Sequence, residues 1–133
     1  MKVCIVGAGA IGGLVGTRLA CAGRAEVSAL ARGATLAALR RHGWRLEQAD
    51  GARRQAPVRA SERADELGPQ DLVVIAVKGQ SLPTLAPTLT PLIGPQTVVL
   101  PAMNGVPWWF CHEVPGFGDA PLQSVDPGGA IGR

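Results

Sequence analysis

An α/β fold on a doubly wound, mostly parallel sheet is what this sequence predicts, and three stretches predict it. KVCIV leads straight into a glycine-rich turn and a helix-like segment, DLVVIAV is a continuous β-branched run, and TVVLPA repeats the pattern after another helical stretch. Apolar runs of this kind belong to strands covered on both faces, and strands that alternate with helices build βαβ units.

Taken in order, residues 2–6 form the first strand, residues 7–12 the turn, and residues 11–22 a helix with apolar positions at Ile11, Leu14, Val15, Leu19 and Cys21. Gly23 stops that helix in the manner of a C-terminal glycine, and residues 26–31 (EVSALA) return as a second strand. Residues 33–42 have helical spacing at Leu36 and Leu39. Two short strand-like pieces, 44–48 and 55–59, flank the turn signal Ala49-Asp50-Gly51, as a hairpin or as one strand with an excursion. Residues 71–77 are the strongest strand and lead directly to Lys78. Pro83, Pro87 and Pro91 keep any helix within 81–92 short and broken. Residues 97–102 read as another buried strand, ending near Asn104-Gly105. Residues 1–106 are thus expected to be the folded domain. The proline- and glycine-rich residues 107–133 are expected to be an irregular tail, the start of a connection to a second domain.

The 133 residues are 47% hydrophobic and 17% charged, the balance of an ordinary globular domain. Apolar stretches are too short to cross a bilayer, and Met1-Lys2 opens onto a strand instead of a signal sequence, so a cytoplasmic location and no membrane partner are expected. Cys4, Cys21 and Cys111 show no C-x-x-C spacing, which argues for inert thiols and against a disulfide framework or a metal site. The net charge of +3 rests on eleven arginines and two lysines. No aromatic residues interleave with Arg40-Arg41 or Arg53-Arg54, so these doublets read as solvated surface and not as a nucleic-acid interface.

Gly7, Gly9 and Gly12 stand at G-x-G-x-x-G spacing between a strand and a helix. In a dinucleotide site Gly7 makes the tight turn, Gly9 lets backbone N–H groups approach a pyrophosphate, and Gly12 brings helix and strand together. Ala8, Ala10 and Ile11 complete a loop whose phosphates would sit at the positive end of the helix. The alternative is a run of small residues that only packs tightly. After the second strand, where an NAD-selective site carries a carboxylate, this chain has Ala31-Arg32-Gly33. Arg32 suits a 2'-phosphate, or is a surface arginine before a helix. Gly7, Lys78 and Asn104 each follow a strand's carboxyl end and are expected to meet in one crevice. Otherwise Lys78 is a strand cap and Asn104-Gly105 a turn.

KVCIVGAGAIGG, ALARG before a helical segment, DLVVIAVKGQ and PAMNG together resemble the N-terminal half of the ketopantoate reductase family, the NADPH-dependent 2-dehydropantoate 2-reductases of pantothenate biosynthesis. The resemblance runs over residues 1 to about 106. It implies NADP as cofactor, with the glycine turn on the pyrophosphate, Arg32 on the 2'-phosphate, Lys78 reaching the cofactor, and Asn104 at the nicotinamide and substrate end. Met103, where many members have Gln, and the Trp108-Trp109 loop depart from the pattern and bear on the substrate. The family's general-acid lysine and its substrate-binding glutamate belong to a helical second domain, so no catalytic residue is expected within this chain. His42, His112, Asp119 and Asp126 do not replace them: none follows a strand that points into the crevice, and a lone His or Asp in a loop reads as solvated. The expected function is the NADPH-binding part of an oxidoreductase that takes a small 2-keto acid to a 2-hydroxy acid, inactive at this length; the alternative is a non-catalytic nucleotide-sensing module. Val106, Trp108, Trp109 and Phe110 are expected to promote self-association.

Overall fold

The computed structural model describes residues 1–118 and 120–132. In chain order the elements are β1 (Lys2–Val6), α1 (Ala10–Cys21), β2 (Glu26–Leu30), α2 (Gly33–His42), β3 (Trp44–Glu47), β4 (Arg53–Ala56), β5 (Arg59–Ser61), α3 (Ala64–Leu67), β6 (Leu72–Ile75), α4 (Leu82–Leu85) and β7 (Val98–Pro101). Five of the strands form one sheet in the order β5-β2-β1-β6-β7, every pair parallel. The chain moves outward from β1 to β2 and β5, then crosses back to β6 on the other side of β1. Strand order therefore reverses between β1 and β6, and in open parallel sheets a ligand crevice forms at that reversal, beyond the carboxyl ends.

The period-2 geometry of strands explains why the runs are apolar throughout. Cys4 and Val6 face one side of β1 and join Leu30, Val73, Ile75, Leu82 and Leu92, whereas Val3 and Ile5 face the other and join Val27, Ala29, Val74 and Trp44. Both faces are covered. On the second face the β3-β4 hairpin packs over α1, with the Trp44 indole N–H donating to the Val27 carbonyl at 3.0 Å. The Trp44 ring lies so close to Gly16 that a Cβ there would stand 2.4 Å from it, so the helix can seat against the hairpin only with glycine at that position.

Several expectations need correction. The strand predicted at 97–102 is not buried: β7 is the last strand of the sheet, and Val98 and Leu100 are 61% and 51% exposed. Its β-branched run reads like β6's because local sequence reports strand character and not position in the sheet. β6 ends at Ile75, so Lys78 stands three residues beyond the strand, where it precedes a 3-10 turn. The hairpin is real, but residues 59–61 leave it and pair with β2 as β5, and the short α3 follows. Pro83, Pro87 and Pro91 do confine 79–92 to one turn of α-helix between 3-10 segments.

The tail is a chain of turns that folds back on the core, with Trp108 and Ile131 packed against the cluster around Val6 and Ile75. Asp126 is not solvated: it is buried, and its carboxylate accepts from the Ile131 and Gly132 N–H groups at 2.8 and 3.1 Å. His42 closes α2 and lends its carbonyl to Gln55, while His112 is exposed. Asp119 lies outside the described residues. No helix among those described is long and apolar enough to cross a membrane.

Candidate functional site

The glycine turn closes through two short-range constraints. Gly7 has φ +88°, and its N–H donates to the Leu30 carbonyl at 3.0 Å, tying the end of β1 to the end of β2. Gly12 is buried beneath the turn, where a Cβ would lie 1.9 Å from the Gly7 carbonyl oxygen. Only hydrogen fits there.

Gly9 is different. It is the N-cap of α1, it is exposed, and a Cβ built on it meets nothing within 4 Å. Its freedom is on the solvent side, where a ligand would arrive. The first turn of α1 carries no acidic residue and no side-chain cap, so its leading N–H groups and the positive end of the helix dipole face outward uncompensated. These features fit a pyrophosphate and the backbone approach that it needs.

The turn opens onto a cleft of about 950 Å³ at the carboxyl ends of the sheet. Gly7, Ala8, Gly9 and Arg32 all line it. Gly12 supports the turn from below, and Ala10 and Ile11 are exposed on the first turn of α1 without lining the cleft. Lys78 and Asn104 follow β6 and β7 at the same end of the sheet, both exposed, but neither lines the cleft. The structure therefore brings together the turn and Arg32, and leaves the other two outside that group.

Arg32 is the N-cap residue of α2, exposed, and forms no ion pair among the described residues. The connection from β5 to α3 contributes Glu62 and Arg63 to the wall, and α3 contributes Asp65, which the sequence alone did not reveal. The signal was faint, a three-residue strand followed by a four-residue helix. Asp65 accepts two hydrogen bonds from Arg63, at 3.1 Å from Nε and 2.5 Å from Nη2. That contact holds the Asp65 carboxyl below the usual carboxylate range and raises the guanidinium further. The wall thus carries one cation tied to two carboxylates, Asp65 and Glu66, and one, Arg32, that pairs with none among the described residues. Among the described residues, no cluster of His, Cys, Asp or Glu is placed to hold a metal ion.

Comparison with known proteins matches residues 3–107 to the family model for ketopantoate reductase PanE/ApbA. The chain is 50% identical to a 2-dehydropantoate 2-reductase of Mesorhizobium japonicum over 98% of its own length and 40% of that protein's. A solved structure assigned to the ketopantoate reductases, from Ralstonia solanacearum MolK2, superposes with a TM-score of 0.90 at 53% identity, covering 97% of this chain and 40% of that one. D-mandelate dehydrogenase, solved in a ternary structure with NADH and anilino(oxo)acetate, matches at TM-score 0.68 and 28% identity over 80% of this chain and 35% of its own. The chain spans about 40% of the length of the first two relatives. With the glycine turn, the all-parallel sheet and the family match agreeing, the chain belongs to the ketopantoate reductase PanE/ApbA family of oxidoreductases, with a Rossmann-type fold.

Proposed function

We propose that this chain is the NADPH-binding part of a 2-keto acid reductase similar to 2-dehydropantoate 2-reductase. The observation that carries the reading is the conjunction of an open Gly9 at a helix N-terminus without a side-chain cap with an Arg32 on the wall of the same cleft that forms no ion pair among the described residues. The turn would hold the pyrophosphate through backbone N–H groups, and Arg32 would hold the 2'-phosphate. NADH in the D-mandelate dehydrogenase structure shows that a structural relative can hold the other nicotinamide cofactor; Arg32, two residues after β2, favours NADPH here. Bound NADPH would supply a hydride to the carbonyl carbon of a 2-keto acid.

Residues 1–106 are the cofactor domain in this reading, and the turns of 107–133, folded back against it, begin the connection to a second domain. Lys78 and Asn104 stand beyond the ends of β6 and β7, and we assign them to the nicotinamide half, Lys78 toward the cofactor and Asn104 toward the substrate. No residue of these 133 is assigned as the acid that protonates the ketone oxygen. The chain should therefore bind without turning over. Titrating NADPH with the chain, read by cofactor fluorescence, tests the binding. A saturable change supports the reading, and none at high micromolar concentration contradicts it.

A further inference from the structure

The β2-β5 pairing places a second arginine beside the first. Leu30 is in register with Ser61, and the Ala31 N–H donates to the Ser61 carbonyl at 2.9 Å, so the two parallel strands end side by side. Arg32 and Arg63 each stand two residues beyond that pair. Both have extended backbones, with φ/ψ of −139°/167° and −112°/122°, and both are the N-cap residues of the helices that follow. Alternation along an extended chain sends side chains two residues apart to the same face, and strands in register are about 4.8 Å apart. Arg32 and Arg63 therefore leave neighbouring strands at the same level, and both line the cleft.

The geometry points to Arg63 as a second recognition residue for a phosphate on the adenosine ribose, forming with Arg32 a two-arginine clamp that selects NADPH over NADH. This rests on the proposed cofactor reading and adds to it a residue that no position in the glycine motif or after β2 would supply. Arg63's existing partners do not prevent the role. Asp65 accepts from Nε and Nη2, and Glu66 Oε1 lies 3.8 Å from the same Nε, so both carboxylates sit on one edge and leave Nη1 and the remaining Nη2 hydrogen as donors, since a guanidinium carries five N–H groups in a fixed fork. An exposed ion pair contributes little to stability by itself. It does hold a long side chain in one orientation, which lowers the ordering cost of binding an anion. Arg63 is tied down on one edge and open on the other.

The test is a calorimetric titration of the 133-residue chain and its R63Q and R63K variants with NADPH, NADH and adenosine 2'-monophosphate. Arg63 is exposed, and its backbone N–H, which donates to the Ser61 hydroxyl at 3.0 Å, is kept in both variants. R63Q should weaken NADPH and adenosine 2'-monophosphate by roughly fivefold, between an exposed ion pair and a charge-assisted hydrogen bond, and leave NADH unchanged. R63K should fall between R63Q and the unmodified chain. NADPH binding unchanged in R63Q, or equal losses for NADPH and NADH, overturns the inference while the cofactor reading stands. An unmodified chain that binds neither dinucleotide overturns both, and locates the failure at the glycine turn.

Discussion

Gly12 lies directly under Gly7, so close that any side chain on Gly12 would overlap the Gly7 carbonyl oxygen. Three residues away, Gly9 has open space on the same side as the cleft. The two glycines should respond oppositely to the same substitution. Gly12→Ala should cost about 1–3 kcal/mol by overpacking and lower Tm by roughly 5–15 °C. Gly9→Ala should leave Tm within about 2 °C yet weaken NADPH binding at least tenfold, because its methyl group would stand where the pyrophosphate approaches. Circular dichroism melts and a fluorescence titration on both variants check this. Equal stability losses would remove Gly9 from the binding surface.

Arg32→Ala should separate the two cofactors. A charge-assisted hydrogen bond contributes about 1.5–3 kcal/mol, so NADPH should bind roughly ten- to a hundredfold more weakly while NADH changes little. Isothermal titration with both cofactors measures it, and a parallel loss of NADH would detach Arg32 from the 2'-phosphate.

Burial pushes the Cys4 thiol up to about 11, only partly offset by hydrogen bonds involving Ser28 and the Leu30 backbone. In the unfolded chain the thiol titrates near 9.0. Between those values the unfolded state has lost a proton that the folded state keeps, so stability falls as pH rises, by up to about 1.4 kcal/mol per pH unit from this group. Below pH 9 the contribution is fully present. Thermal melts from pH 8 to 11 should show a steeper decline for the native chain than for Cys4→Ala. Identical slopes would assign the decline to other groups.

Apolar surface is concentrated at one edge of the sheet and in the tail, with Val98 61%, Phe110 57% and Trp109 45% exposed. An open strand edge and exposed aromatics each favour association. The chain should form dimers or larger species at high concentration, and Trp109→Ser with Phe110→Ser should reduce them. Light scattering that shows a monomer throughout would contradict this.

What was legible in the sequence follows from how local its causes are. The turn at residues 7–12 was legible because Gly7 needs a positive φ and Gly12 a missing Cβ, both written in the residue type. β1 and β6 were legible because strands covered on both faces have no polar positions to spare. β7 has the same composition at the sheet's edge, so its exposure was not legible. Nor was Arg63: its place beside Arg32 comes from β5 pairing with β2, a contact between residues about thirty positions apart, and β5, at three residues, is too short to announce itself. Asp126 was missed for a related reason, since its burial depends on the tail folding back over Trp108.

Addition of 2-ketopantoate to the chain with NADPH should give negligible oxidation of the cofactor. With no residue of these 133 assigned as the general acid, the rate is expected to fall by about a hundred- to ten-thousandfold. Absorbance of NADPH over time reads this directly. Turnover at an ordinary enzyme rate would require an acid among these residues, with Lys78 the first to examine.

The preference of the cleft between the two dinucleotides is the most direct measure of the proposed NADPH site. Side-by-side calorimetric titration of the unmodified chain with NADPH and NADH should give saturable binding for both, with NADPH at least about tenfold tighter, the minimum expected from one charge-assisted contact to the 2'-phosphate. Tighter binding of NADH, or no binding of either, would contradict it.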